Sequence, residues 1–281
     1  MKGHLLFRSV WALANLLLIT SAAFLLYALC WEYSTRQYLR GFSDAVVPAN
    51  AAPEEKVQAI LDWTKSGPAR QDGAVTGKFL LRDPEETLNY RALLQVCGTA
   101  SNAFINLASI GGLQVRRLLL LNARGSTAHV DTQVLVDGRW IIVDPAFRIM
   151  LRGSDGALLT AEQLEDPQVL KTATSGLKNY LPEYSFEHTA HIHFGRIAFF
   201  GPVLERIVTA ISPQADASPL MTLLVERESL TACVAAAALF LLFCVVRLVL
   251  GCSACPRLGI DRVRLRDRLR TGSLAFLNQP D

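Results

Sequence analysis

Apolar positions fall along this chain in three different rhythms. The first is unbroken: residues 10 to 31, VWALANLLLITSAAFLLYALCW, carry no charge, and residues 230 to 246, LTACVAAAALFLLFCVV, carry none until Arg247 closes them. Each run approaches the ~20 residues a helix needs to cross ~30 Å of hydrocarbon. The second rhythm is helical. In PEEKVQAILDWTKSG, Val57, Ile60, Leu61 and Trp63–Thr64 fall near one face, Pro53 and two glutamates suit the start, and Gly67 the stop. CGTASNAFINLASIGG, from Cys97, spaces Ala100, Phe104, Leu107 and Ala108 helically and ends at Gly111–Gly112. The third is alternation: LQVRRLLLL (113–121) reads as a strand, NARGST as a turn, and HVDTQVLVDGRWIIVDP (129–145) as two strands around a tight turn. TAEQLEDPQVL then predicts a short helix capped by Thr160. SDAVVPANAAPEEK (43–56) reads as a small-residue linker, and residues 67 to about 78 as loop. FGRIAFFGPVLERIVTAI (194–211) is amphipathic and suits either the membrane surface or the flank of the domain.

The expected organisation is a cytoplasmic N-terminus (1–9), a membrane helix (10–31), an extracytoplasmic α+β domain (45–190), a juxtamembrane segment (194–228), a second membrane helix (229–250) and a basic cytoplasmic tail (251–281). A cleaved signal peptide would also explain the first run. Its apolar core exceeds the ~7–15 residues of such peptides and no small-x-small site follows, which favours an uncleaved anchor. Lys2 and Arg8 precede the first span, and six arginines follow Arg247 in RLGIDRVRLRDRLR. Excess Lys and Arg mark cytoplasmic flanks, so both ends are expected inside and the middle in a bacterial periplasm, with the anchor in the inner membrane. The net charge of +3 largely reflects the tail. That suits anionic lipid headgroups, not nucleic acid.

Charge and cysteine placement then single out one thiol. Cys30, Cys233, Cys244, Cys252 and Cys255 all lie in or beside the apolar runs, and Cys97 alone belongs to the body of the domain. A lone thiol in an oxidising compartment is either buried and inert or reactive. CSAC (252–255) has C-x-x-C spacing without a second pair, and HTAHIH (188–193) holds three histidines without an accompanying carboxylate. Neither makes a convincing metal set, and no cofactor is expected.

Asp137–Gly138 signals a two-residue hairpin loop, because both positions accept positive φ. Val136 then pairs with Arg139, Gln133 with Ile142, and Asp131 with Asp144. Alternation sorts Val130, Thr132, Val134, Val136, Ile141 and Val143 onto a core face, and His129, Asp131, Gln133, Trp140, Ile142 and Asp144 onto the other. His129 and Asp144 become diagonal neighbours, within reach of an imidazole–carboxylate hydrogen bond. Two readings stay open: a solvated polar face that happens to hold a histidine, or a base and its orienter. The second needs a nucleophile. Cys97 at a helix start supplies one, since a helix N-terminus and an imidazolium both favour the thiolate, and a carboxylate on the other ring nitrogen holds the tautomer.

The stretch CGTASNAFINLASIGGLQVRRLLL followed by HVDTQVLVDGRWIIVDP resembles the transglutaminase-like superfamily, whose fold is related to the papain-like cysteine peptidases. The matching features are a cysteine opening a helix, a glycine turn, a strand, a histidine strand and a W-x-x-x-D-P strand, over roughly residues 50 to 170. The resemblance implies a cysteine-bearing helix packed on an antiparallel sheet, and a catalytic Cys97, His129 and Asp144. It departs at Asp131, where relatives carry an aromatic residue, and at Gln95, where they carry glycine. Asp131 has three destinations: solvent, Arg148 or His129 itself. Gln95 is either an oxyanion donor beside the Cys97 N–H or a surface glutamine.

Two functions follow as expectations. One is an enzyme that transfers or hydrolyses acyl groups at an amide or isopeptide bond, acting on a protein, peptide or polymer of the cell envelope. The alternative is a non-catalytic subunit of an envelope or exopolysaccharide assembly complex, partnered by other membrane proteins.

Overall fold

The structure, a computed structural model, describes residues 2–66, 84–89, 94, 96–192, 206, 210 and 217–258. It divides into two compact units, Met1–Ala28 with Cys233–Asp281, and Leu29–Ala232.

The first unit is built from the ends of two long helices, α1 (Lys2–Val46) and α8 (Glu228–Leu258). Both are long and apolar enough to cross a membrane, over Phe7–Val46 and Glu228–Cys252. Leu16, Ile19, Leu26, Leu241 and Leu248 turn outward, as hydrocarbon-facing residues do. Arg247 is the charged exception. Its Nε donates to Asn15 Oδ1 at 2.6 Å, and its guanidinium lies 3.2 Å from the centre of the Trp11 ring. A cation in such surroundings needs partners of this kind.

α1 is longer than the expected membrane segment. It passes residue 31 and takes Ser43–Val46 from the expected linker. The first proline is Pro48, so nothing interrupts the helical ladder before it. Tertiary packing then rewards the extension, because Leu39 is fully buried in the core of the second unit.

That second unit is α+β. Its antiparallel sheet has the order β4-β3-β2-β1-β5, with β1 Val115–Leu121, β2 Thr127–Val136, β3 Arg139–Asp144, β4 Ile149–Met150 and β5 Thr189–Ala190. Around it stand α2 (Pro53–Lys65), α3 (Pro84–Asn89), α4 (Cys97–Ile110), α5 (Ala161–Leu164), α6 (Pro167–Thr174) and α7 (Pro219–Glu226). The expected single helix after Thr160 is two, divided at Pro167. The hairpin register is the expected one, with Val136 opposite Arg139 and Gln133 opposite Ile142. Asp137 and Gly138 take φ of 48° and 78°, the positive values a type I′ turn demands.

Each face of the sheet has its own core. Val134, Val136, Ile141 and Val143 meet Phe104 and Leu107 of α4, Ile60 and Leu61 of α2, and Leu39 of α1. Burying each such side chain contributes roughly 1.5–3 kcal/mol. On the opposite face Leu118, Leu120 and Ile142 meet Leu159, Leu164, Tyr184 and Phe186. This second layer removes the solvated-face reading, since His129, Asp131 and Asp144 are all 0% exposed.

The domain also runs past its expected end at residue 190. α7 packs on β1 and α4, with Thr222 Oγ1 accepting the Arg117 backbone N–H at 3.2 Å. A buried ion network completes this region. Glu226 pairs with Arg117 at 2.7 Å. Arg227 pairs with Glu32 of α1 at 3.2 Å and donates to Asn106 Oδ1 at 2.9 Å. Ser229 donates to Glu32 at 2.7 Å, and Asn102 donates to the Glu226 carbonyl. The amphipathic 194–211 stretch lies almost wholly outside the described residues.

Candidate active site

β2 and β3 hold His129 and Asp144 together through their hairpin register. His129 Nε2 lies 2.8 Å from Asp144 Oδ2. Asp144 ends β3, and its other oxygen accepts the backbone N–H groups of Ala146 at 2.9 Å and Phe147 at 3.0 Å. The carboxylate is thus pinned by the turn that follows it, with one oxygen left for the ring. Tyr184 stacks on the imidazole, centroids 4.3 Å apart and planes 19° from parallel. Phe147 and Tyr180 flank the same ring at 5.9 and 6.4 Å. The second ring nitrogen, Nδ1, is buried and has no hydrogen-bond partner.

Asp131 enters the same cluster. Its Oδ1 stands 3.3 Å from His129 Nε2, and neither of its oxygens takes a hydrogen bond. Of its three expected destinations, solvent and Arg148 drop out. Burial, and then the charge of Asp144, push its carboxyl up to about 7, against the pull of His129. Burial alone would lower the His129 imidazole. The charges of Asp144 and Asp131 outweigh it and raise the group well above the ordinary histidine range.

Cys97 is the first residue of α4, partly exposed, with Val96 at the N-cap. One turn on, Ser101 Oγ donates to the Val130 carbonyl at 2.9 Å. Residues four apart share a helix face, so the face that carries Cys97 is the one tied to β2 at the residue next to His129. Gln95 lies outside the described residues.

His129, Asp131 and Asp144 are the only group of three such donors within 4.8 Å of one another among the described residues. The 2.8 Å nitrogen–oxygen contact is that of an N–H···O bond, and Asp144 Oδ1 is already committed to the backbone. The set makes a hydrogen-bonded cluster. Of the 188–193 histidines, His191 Nδ1 is taken by the Arg117 carbonyl at 2.7 Å, His188 is exposed, and His193 lies outside the described residues. Cys252 is exposed, and the Cys255 side chain lies outside the description.

Sequence reasoning undervalued Asp131, Tyr180 and Tyr184. Strand alternation already put Asp131 on the face of His129. The aromatic cover comes from a loop more than fifty residues away, which no local pattern announces. Comparison of the chain with family models, curated proteins and solved structures gives no match. The likeness to transglutaminase-like proteins therefore rests on the residues quoted above.

Proposed function

We propose that the chain is a membrane-tethered, transglutaminase-like protein. Its central unit would transfer or hydrolyse acyl groups at amide or isopeptide bonds, with Cys97 as nucleophile, His129 as base and Asp144 as orienter. The observation that carries this reading is the asymmetric imidazole. Nε2 is held by Asp144 at 2.8 Å, while Nδ1 is buried and unpartnered, on a strand tied to the Cys97 face of α4. That leaves unengaged the nitrogen that nucleophile activation would use for a thiol proton, with no hydrogen bond from Cys97 to it in this structure.

In the proposed reaction the Cys97 thiolate attacks a carbonyl carbon, forming the S–C bond. The C–N bond breaks as the Nδ1 proton passes to the departing amine, leaving a thioester and neutral imidazole. Water or a second amine then gives its proton to Nδ1 as it attacks, and the thiolate leaves. The N-terminus of α4 favours the thiolate. Lys2, Arg8 and the arginines from Arg247 onward flank the two uncharged runs, which favours placing the unit in the periplasm of a bacterial inner membrane, where envelope peptides or polymers are the substrates in reach.

A non-catalytic subunit of an envelope complex is the second reading, favoured by the complete burial of His129 and Asp144 and the stacking of Tyr184 on the imidazole. Iodoacetamide alkylation of the full chain in detergent, read at the Cys97 peptide by mass spectrometry across pH, separates the two. A midpoint below ~8.5 that rises in His129→Gln supports the enzyme. A midpoint at ~8.5 in both proteins supports the scaffold.

A further inference from the structure

Asp144 already provides all that an orienting carboxylate can: a fixed acceptor for Nε2–H. Asp131 is a second carboxylate on the same nitrogen, and it is held quite differently. Asp144 is braced by two backbone N–H groups, whereas Asp131 has no donor on either oxygen. A permanently ionised carboxylate buried without donors is costly to maintain. The surroundings offer Asp131 little compensation. Opposite it on β1 is Leu118, and the β1 cation on the same face, Arg116, is engaged by Gln133 at 2.5 Å and by the Trp140 ring. β3 contributes Asp144, which repels it, and β2 itself contributes His129, which attracts it. From the segment after α6 come Tyr180 and Tyr184, which pack on the histidine ring. α4 carries no Asp, Glu, Lys, Arg or His.

We propose that Asp131 is a proton-bearing positioning residue, whose carboxyl is neutral in acid and, on losing its proton, places a second negative charge beside Nε2 that locks the proton of His129 onto the ring. The inference rests on the reading of His129 as the group that hands its proton to the leaving amine. That transfer runs from Nδ1 to the amine nitrogen as the C–N bond breaks, and the Asp131 proton stays on its own oxygen. With Asp131 neutral, the imidazolium has one carboxylate to hold it and gives up the proton more readily. With Asp131 ionised it has two, and acylation slows. The site would then work better on the acidic side of neutrality, with a descending limb that this one residue sets. The elevated ionisation of Asp131, at about 7, agrees with the geometry.

The test is carbon NMR of the full chain in detergent with carboxyl-labelled aspartate, first in a Cys97→Ser background. The resonance missing from Asp131→Asn is expected to titrate near neutrality, about three pH units above an ordinary aspartate at ~3.9. If Asp131→Asn does not fold, Asp131→Glu removes the same labelled resonance and assigns it. In the chain with Cys97 restored, ring-labelled histidine reports the coupling: the His129 resonance should move with the same midpoint, and that step should vanish in Asp131→Asn. A resonance titrating near pH 4, or a histidine step that survives Asp131→Asn, overturns the proposal. Because these signals need no turnover, they stand apart from the enzyme reading. A near-neutral Asp131 together with Cys97 alkylation indifferent to His129→Gln would support the proton-bearing assignment and overturn its catalytic consequence.

Discussion

Two groups of charged side chains are buried in the second unit, and they are constructed on opposite principles. The cluster of Glu32, Arg227, Arg117 and Glu226 pairs two carboxylates with two buried guanidinium groups, the half-exposed Arg36 adds a third to Glu32 at 2.6 Å, and Asn102, Asn106 and Ser229 fill the cluster with hydrogen bonds. The cluster of His129, Asp131 and Asp144 sets two carboxylates against one imidazole, under aromatic rings. Balanced buried charge suits a structural joint: burial pulls the Arg227 guanidinium down and Glu32 opposes that pull. Unbalanced buried charge needs a proton to close the difference, and a proton is what acid–base chemistry moves. The contrast separates a joint from a site, although both are buried.

The largest effect expected is at the joint. Arg227→Met takes from Glu32 its buried cation and from Asn106 its donor, leaving only the half-exposed Arg36 on Glu32, and should cost about 3–5 kcal/mol, while Arg227→Met with Glu32→Leu should recover most of it. Denaturant unfolding in detergent reads both; a harmless single variant would break the comparison. Next comes the site. An aspartate held above its unfolded value contributes stability that is complete below about pH 4 and lost as pH rises through about 7. Wild type should therefore lose stability across that window relative to Asp131→Asn, by roughly 4 kcal/mol at the limit, at ~1.4 kcal/mol per pH unit. Parallel curves for the two proteins would make Asp131 as inert as a surface carboxylate. His129, raised in the fold, contributes stability present below ~6.5 that both proteins lose only at more alkaline pH.

Two smaller effects calibrate these. Gly138→Ala forces a side chain into φ 78° and should cost about 1 kcal/mol through the hairpin that sets the His129–Asp144 register. Lys65→Ala removes an ion pair whose side chains are 50% and 56% exposed. It should change the unfolding midpoint by no more than ~0.5 kcal/mol allows. A larger response there would mean that exposed and buried pairs do not differ as claimed.

What could be read from the chain follows how local the signal was. The Asp137–Gly138 turn fixes the pairing by itself, and with it the adjacency of His129 and Asp144; Cys97 at a helix start follows from spacing alone. The joint could not be read. Arg227 and Glu32 lie at opposite ends of the chain, and in sequence each is only a charge flanking an apolar run. The continuation of α1 to Val46 has the same origin, since Leu39 becomes core only when the distant sheet is present. Asp131 was the intermediate case. Its face was legible, but not the tyrosines that cover its neighbour His129.

The bracing of Asp144 has a consequence for the mildest replacement available there. An asparagine at 144 would have to turn its carbonyl toward the two peptide N–H groups of Ala146 and Phe147, because an amide nitrogen cannot accept them. Its NH2 would then point at the imidazole, Nε2 would become the acceptor, and the hydrogen would migrate to Nδ1. A swap that changes neither size nor shape would thus reverse the ring's polarity, leaving the nitrogen meant to receive a proton already occupied by one.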